Sequence, residues 1–133
     1  FDPLTKKKLD TEIKLREPYR PYAPVVLEDD FKKIFNLNFA SPFMLFDADV
    51  LTNKIPAVTH VDGTSRPQTV NKKNGIIYDI LVEIKKEKKL PVCLNTSLNR
   101  PGEPICENPE DAINYALNSK ANYLVIEDFL ITL

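Results

Sequence analysis

The residues best suited to chemistry in this 133-residue chain lie in three polar motifs that contain basic side chains. The first holds three cations within residues 14–20, and the second is the segment 60–66, His-Val-Asp-Gly-Thr-Ser-Arg. The third is the polar stretch 95–104, which directly follows the apolar run 90–94 and its predicted strand. Ligands of α/β proteins bind outside the carboxyl ends of strands. The three motifs therefore predict a site for an anion or a nucleotide.

The basic side chains of these motifs suit the neutralisation of phosphate charge. Arginine presents a planar fork that matches phosphate oxygens, whereas lysine acts as a compact point charge. Any reaction or binding of phosphate groups needs such charges, because the negative charge of the phosphate oxygens must be neutralised. The sequence contains neither a Gly-x-x-x-x-Gly-Lys-Ser/Thr loop nor a Gly-x-Gly-x-x-Gly loop, and it has only three glycines. A nucleotide site in this chain must therefore be built in another way.

The composition is that of one compact domain, with 43% hydrophobic and 28% charged residues. A formal charge of −1 makes nucleic acid an improbable partner, and the same charge argues against an anionic membrane surface. The apolar runs are shorter than the roughly 20 residues of a membrane helix. Cys93 and Cys106 have neither a zinc-site nor a disulfide-frame spacing, which predicts reduced thiols in a cytoplasmic protein.

The elements that position the motifs alternate between helix and strand, which predicts a mixed α/β domain. Capping residues and apolar periodicity predict helices at 3–12 behind Asp2, at 28–36, at 75–89 and from Pro109 onward. Extended segments or strands are predicted at 14–17, 24–27, 43–50, 57–61, 90–94, 123–126 and 129–133. The aromatic residues assigned to the core are Tyr22, Phe31, Phe35, Phe43, Phe46 and Tyr115.

Taken together, the motifs resemble those of the C-terminal domain of NodU/CmcH/TobZ-type O-carbamoyltransferases. The matching segments are Lys14-x-Arg16-Glu17-x-x-Arg20-Pro21-x-Ala23-Pro24, His60-Val61-Asp62-Gly63-Thr64-x-Arg66-x-Gln68, Asn95-Thr96-Ser97-x-Asn99-x-x-Gly102-Glu103-Pro104 and Pro109-Glu110-Asp111-Ala112. The resemblance spans nearly the whole chain and implies a YrdC-like fold, an open twisted mixed sheet flanked by helices in a single domain, residues 1–133. It also implies a fragment, from which an N-terminal actin-like catalytic domain is absent.

The activity that the resemblance implies is the ATP-dependent activation of carbamoyl phosphate to carbamoyl-adenylate. The missing N-terminal domain, which holds iron, would then pass the carbamoyl group to a hydroxyl of a small-molecule acceptor. The expected cofactors of this chain are ATP and Mg²⁺, and no metal ligand is assigned within it. The resemblance thus implies a cytoplasmic biosynthetic transferase with no membrane partner.

The resemblance also assigns the site residues. Lys14, Arg20 and Arg66 are predicted as catalytic, on carbamoyl phosphate or on the reacting phosphates. The predicted substrate and nucleotide ligands are Arg16, His60, Thr96, Ser97, Asn99, Arg100 and Gly102. In many relatives a basic residue directly precedes this glycine, whereas here Pro101 does, and the basic residue stands one position earlier.

Several alternatives stay open at the level of sequence. Ser97 and Asn99 are residue types that also fix turns through local hydrogen bonds, and His60 could be a structural histidine at a strand end. The chain could instead be a YrdC-like threonylcarbamoyl-adenylate synthase in tRNA modification, although the near-neutral charge disfavours this role. It could also be a non-catalytic module that binds a phosphate metabolite or packs against another domain.

Overall fold

The structure is a computed structural model that describes residues 3–133, and it confirms the mixed α/β class with open sheets flanked by helices. Its α-helices are α1 (Pro3–Lys8), α2 (Ile76–Lys88) and α3 (Pro109–Leu117). Its strands are β1 (Ala23–Leu27), β2 (Phe35–Asn36), β3 (Ala48–Val50), β4 (Thr64–Ser65), β5 (Gln68–Val70), β6 (Val92–Asn95), β7 (Tyr123–Ile126) and β8 (Phe129–Thr132). Asp2, the predicted cap of the first helix, lies outside the described residues.

The fold contains two compact units. The assignment of residues 1–133 to a single domain therefore stays a prediction. The first unit includes Pro21–Thr96, and the second consists of Leu4–Arg20 and Ser97–Leu133. None of the helices within residues 3–133 combines the length and the apolar character needed to cross a bilayer.

The first unit is built on a mixed sheet in which β1 is the central strand. β1 pairs in parallel with β5 and antiparallel with β6, and all five of its residues are buried. A parallel pair needs a long crossover and is normally covered on its faces. The helix α2 supplies cover here, because Leu81 packs fully buried against Val25, Leu27 and Val70. This core holds the carboxyl end of β6, where the polar stretch 95–104 begins.

A second sheet of the first unit holds the segment around His60. It has the order β2-β3-β4, all antiparallel, with Phe35 opposite Val50 and Ala48 opposite Ser65. The Ser65 hydroxyl is buried and donates a hydrogen bond of 2.6 Å to the carbonyl oxygen of Val58. The turn between them is thus fixed at both ends.

The second unit combines α1, α3 and the hairpin of β7 and β8. A π-helical turn, Leu9–Ile13, continues α1 toward the basic motif. The Tyr115 hydroxyl on α3 donates to the carbonyl oxygen of Ile13 at 3.1 Å. At the start of α3 the side chain of Asn108 accepts from the backbone N–H of Asp111 at 2.9 Å, as its sequence predicts. The Tyr115 bond attaches the end of the π-helical turn, directly before the 14–20 segment, to α3.

The long, strongly patterned elements agree with their predictions, and the short ones do not. The predicted strand 57–61 is wrong, because Pro56–Val58 forms a 3₁₀ turn in which Ile55 accepts from Val58 and Thr59. The predicted helix 28–36 is limited to a 3₁₀ turn at Phe31–Lys33, since Phe35–Asn36 pairs as a strand. The strand 43–50 begins only at Ala48, residues 14–17 form no strand, and β4 and β5 were not predicted.

The aromatic core is confirmed for four of the six predicted residues. Tyr22, Phe31, Phe35 and Tyr115 are buried. The prediction is wrong for Phe43 and Phe46, whose side chains are 77% and 46% exposed. Both precede β3 in a loop, and Phe46 contacts Phe39 edge-on at 5.0 Å between ring centroids.

Candidate functional site

A cleft of about 170 Å³ in the second unit gathers most of the predicted site residues. Its lining includes seven of the ten, which are Lys14, Arg16, Arg20, Ser97, Asn99, Arg100 and Gly102, together with Pro101. Two segments far apart in the chain supply them, 14–20 after the π-helical turn and 97–102 after β6. The structure therefore brings the first and third sequence motifs together in one cleft, which we call the arginine cleft.

Lys14 anchors the loop that forms one wall of the arginine cleft. Its ammonium donates to the carbonyl oxygens of Ser97 and Asn99, both at 2.6 Å, and to Asn99 Oδ1 at 3.1 Å. The ammonium also lies 5.9 Å from the ring centroid of Tyr115, within range of a cation–π contact. Three bonds use all three N–H donors of the ammonium. In this structure Lys14 fixes the loop, and its contact with a ligand stays a prediction.

The pKa of Lys14 reflects the positive potential of the cleft. Burial lowers the pKa of its ammonium, and the nearby guanidinium groups of Arg16 and Arg20 lower it further. The Cys106 thiol acts weakly in the opposite direction. A bound anion would offset the repulsion among these three cations. The cleft therefore favours a negatively charged ligand.

Ser97 and Asn99 take part in the turn as well as in the lining of the cleft. The Ser97 hydroxyl donates to Asn99 Oδ1 at 2.6 Å, and Asn99 Nδ2 donates to the carbonyl oxygen of Glu103 at 2.9 Å. Gly102, with φ of +79°, has a backbone conformation that L side chains rarely adopt. The side chain of Asn99 therefore closes the turn that brings the backbone of Gly102 to the cleft.

The three arginines of the cleft differ in how firmly they are held. Arg16 is largely buried, and its Nε lies 3.7 Å from Oδ1 of the buried Asp10. Arg20 is 53% exposed, and it lies 3.7 Å from the equally exposed carboxylate of Glu17. Arg100 donates to the carbonyl oxygen of Asn118 at 2.8 Å. An exposed ion pair at that distance restrains a side chain little, so Arg20 is the arginine best able to close on a ligand.

Arg100 also lines a larger cavity in the same unit, of about 360 Å³. The other predicted site residues do not line it, whereas Cys106, Tyr115 and Asn118 do. The bond from Arg100 to Asn118 holds the guanidinium near the carboxyl end of α3, where a cation is favoured.

The remaining two ionisable site residues lie in the first unit. His60 and Arg66 line a cavity of about 240 Å³ with Asp47, Asp62 and Thr64 among its other walls. Arg66 is exposed and has no ion pair or hydrogen bond with any residue that the structure describes. We call the cavity lined by His60 and Arg66 the histidine cavity.

A chain of hydrogen bonds connects three residues of the histidine cavity. The Thr64 hydroxyl donates to Asp62 Oδ1 at 2.7 Å and lies 3.2 Å from His60 Nδ1. The backbone N–H of Thr64 also donates to Asp62 Oδ1, at 2.9 Å. These two bonds lower the pKa of the exposed Asp62 carboxyl. Asp62 belongs to the second sequence motif but was not assigned to the site, and Asp47 was not singled out at all.

Thr96 is exposed and lines neither the arginine cleft nor the histidine cavity. Its role as a ligand stays a prediction.

Both cysteines are free thiols, as predicted. Within residues 3–133, no three His, Cys, Asp or Glu side chains gather in a group that could hold a metal ion.

Comparison with known proteins relates this chain to enzymes that transfer a carbamoyl group. A profile of the family described as "Carbamoyltransferase C-terminus" matches residues 1–132. The nodulation protein NolO of Bradyrhizobium diazoefficiens is 41% identical over 133 residues, which cover 95% of this chain and 24% of that protein. The 3'-hydroxymethylcephem-O-carbamoyltransferase of Amycolatopsis lactamdurans is 36% identical over 130 residues, covering 96% of this chain and 25% of that enzyme.

A third relative, the nodulation protein NolNO of Sinorhizobium fredii, is 39% identical over 95% of this chain and 20% of its own length. The chain thus spans about a quarter or less of the length of these relatives. The profile covers nearly every residue, including all three motifs, and therefore confirms the predicted resemblance. The chain belongs to the carbamoyltransferase family, and it corresponds to the C-terminal region of those proteins.

Proposed function

We propose that this chain activates carbamoyl phosphate with ATP, forming the carbamoyl-adenylate from which an O-carbamoyltransferase carbamoylates a hydroxyl group. The observation that carries the proposal is the convergence of Arg16, Arg20 and Arg100 with the turn at Gly102 on one cleft. Membership of the carbamoyltransferase family supplies the group that is transferred. The triphosphate of ATP carries several negative charges, which explains why several cations are needed in this cleft.

The chemistry balances in two steps. Water first removes the phosphoryl group of carbamoyl phosphate, which releases inorganic phosphate and leaves carbamate. A carbamate oxygen then attacks the α-phosphorus of ATP, the bond from that phosphorus to the β-phosphate bridging oxygen breaks, and pyrophosphate leaves. Charge on the leaving group and on the equatorial oxygens rises in the second step, and positioned guanidinium groups stabilise it.

The residues of the arginine cleft have distinct proposed roles. Arg20, exposed and weakly held, binds phosphate oxygens through its planar fork. Arg16, held beside Asp10, supplies a fixed charge. The Gly102 turn lets the backbone approach the nucleotide, as its positive φ and lack of a side chain permit. Lys14 contributes through the loop that it fixes and through its charge.

The proposal extends to the remaining partners of the reaction. Mg²⁺ would accompany ATP and would neutralise part of the charge of its phosphates, and no residue of this chain is assigned to hold it. The acceptor is a small molecule with a hydroxyl group, and transfer to it would take place in an N-terminal domain that holds iron. A cytoplasmic location fits reduced Cys93 and Cys106 thiols.

Exchange of labelled pyrophosphate into ATP tests the proposal, with the full-length protein and carbamoyl phosphate present. Arg20→Lys keeps the charge but loses the fork, so we expect the exchange rate to fall about tenfold, the equivalent of one charge-assisted bond. Lys8→Ala is a control for a general effect of positive charge, because Lys8 is an exposed residue of the same unit that does not line the cleft. Exchange that is absent in the wild type, or unchanged in Arg20→Lys, would contradict the proposal.

A further inference from the structure

We infer that Asp62 and Thr64 hold His60 in the tautomer with the proton on Nδ1, so that Nε2 accepts a hydrogen bond from an N–H group of the ligand. His60 would then be a specificity determinant, and Asp62 and Thr64 would be positioning residues that act through it. The choice of carbamoyl phosphate as the ligand rests on the proposed function. The tautomer itself does not.

The tautomer follows from a count of protons along the hydrogen-bond chain. The Thr64 hydroxyl has one proton, and a carboxylate can only accept, so that proton points to Asp62 Oδ1 at 2.7 Å. The Thr64 oxygen therefore meets His60 Nδ1 as an acceptor at 3.2 Å. Nδ1 must carry a proton to donate in this contact. In the neutral ring Nε2 then keeps its lone pair.

The backbone keeps the three side chains in place. The N–H of Gly63 donates to the carbonyl oxygen of His60 at 3.0 Å, and the N–H of His60 donates to the carbonyl oxygen of Thr64 at 2.8 Å. Thr64 is also part of β4, opposite Asp49 of β3. Asp62 receives both the N–H and the hydroxyl of Thr64. The turn thus sets the order of donors and acceptors before any ligand binds.

The histidine cavity offers a complementary pair of groups to one class of ligand. Nε2 of His60 is an acceptor, and the guanidinium of Arg66 is a donor without a partner among the described residues. Carbamoyl phosphate carries an amide NH₂ donor a few bonds from phosphate acceptors, which matches this pair. Acetyl phosphate has nearly the same shape, but a methyl group replaces the NH₂. Asp47, a carboxylate on the same cavity wall, also favours the N–H donor.

Nitrogen NMR of ¹⁵N-histidine-labelled protein tests the tautomer without any ligand. His60 is the one histidine of this chain, and a spectrum of His60→Gln would identify its signals in a longer form. At roughly two pH units above the ordinary histidine pKa of about 6.5, we expect a protonated Nδ1 and an unprotonated Nε2. Thr64→Val should lose this preference, and Thr64→Ser should keep it. A protonated Nε2 in the wild type would overturn the inference.

Calorimetric titration of two ligands tests the specificity for carbamoyl phosphate. Carbamoyl phosphate and acetyl phosphate are titrated by calorimetry into the wild type, Thr64→Val and Thr64→Ser. We expect carbamoyl phosphate to bind at least about tenfold more tightly in the wild type, with this ratio falling toward one in Thr64→Val and persisting in Thr64→Ser. Equal affinities in the wild type would overturn the specificity claim. If neither ligand binds although Nδ1 is protonated, the ligand assignment and the proposed function fail and the tautomer stands.

Discussion

Replacing Lys14 by methionine tests whether this residue organises the arginine cleft. Methionine keeps an unbranched chain of similar length, which can occupy the same buried space beside Tyr115. It removes all three bonds from the ammonium to Ser97 and Asn99. The acceptors of these bonds lie 83 and 85 residues away along the chain, so no local element can replace the contact.

The expected loss of stability follows from the balance of bonds and burial. Three bonds from a charged donor would be worth roughly 4–9 kcal/mol at about 1.5–3 kcal/mol each. Removing the ammonium also removes the cost of burying it, and the free loop oxygens regain water at the open cleft. We therefore expect the free energy of unfolding to fall by about 2–4 kcal/mol. For a chain of this length that is a drop in melting temperature of roughly 10 °C.

Urea unfolding and thermal melting measure this change, and Lys8→Met is the matched control. Lys8 is an exposed lysine of α1, so its replacement should alter the free energy of unfolding by less than about 0.5 kcal/mol. Lys14→Met should also weaken ATP binding, because the loop that carries Gly102 loses its anchor. A variant that melts with the wild type and loses only ligand affinity would refute the loop-holding role and make Lys14 a direct ligand.

Asn99→Ala removes the side chain that closes the 97–103 turn, so the free energy of unfolding should fall by about 1–3 kcal/mol while ATP still saturates the protein. Melting curves and ATP titrations measure both effects, and Asn53→Ala at an exposed position is the control. If only the affinity for ATP changed, Asn99 would be a ligand-binding residue instead. Burial alone would raise the pKa of the Asp30 carboxyl, but hydrogen bonds from Lys85 and Lys33 outweigh it and lower the pKa below its ordinary 3.8. The unfolded chain then binds more protons near that pH, so the stabilisation from Asp30 is present at neutral pH and is lost as the pH falls through the folded-state pKa. Urea unfolding at about pH 7 and about pH 3 measures this effect. Between these pH values the free energy of unfolding should fall less in Asp30→Asn than in the wild type.

The sequence by itself determined the family, the fold class and the longer helices. The apolar stripe of α2 and the Asn108-Pro109 start of α3 are local signals, and each depends only on residues within a few turns of the chain. The three motifs are likewise read directly along the sequence, which is why the family could be predicted before any geometry.

The short elements could not be predicted, because distant partners select them. β4 and β5 are two and three residues long, and they exist as strands only through pairing with β3 and β1. Intrinsic propensity is weak over so few residues, and tertiary pairing overrides it. The same reason explains the exposed Phe43, since an aromatic residue is buried only where another element packs over it.

Only the tertiary structure decided what the site residues do. The sequence assigned Lys14, Ser97 and Asn99 to contacts with ligands, but their side chains bond to one another and build the loop. It singled out His60 without a partner, whereas the fold of the turn brings the Thr64 hydroxyl to its Nδ1 and Asp62 to that hydroxyl. Residue type limits which groups can donate or accept, but the direction of each proton depends on which atoms the fold brings within about 3 Å.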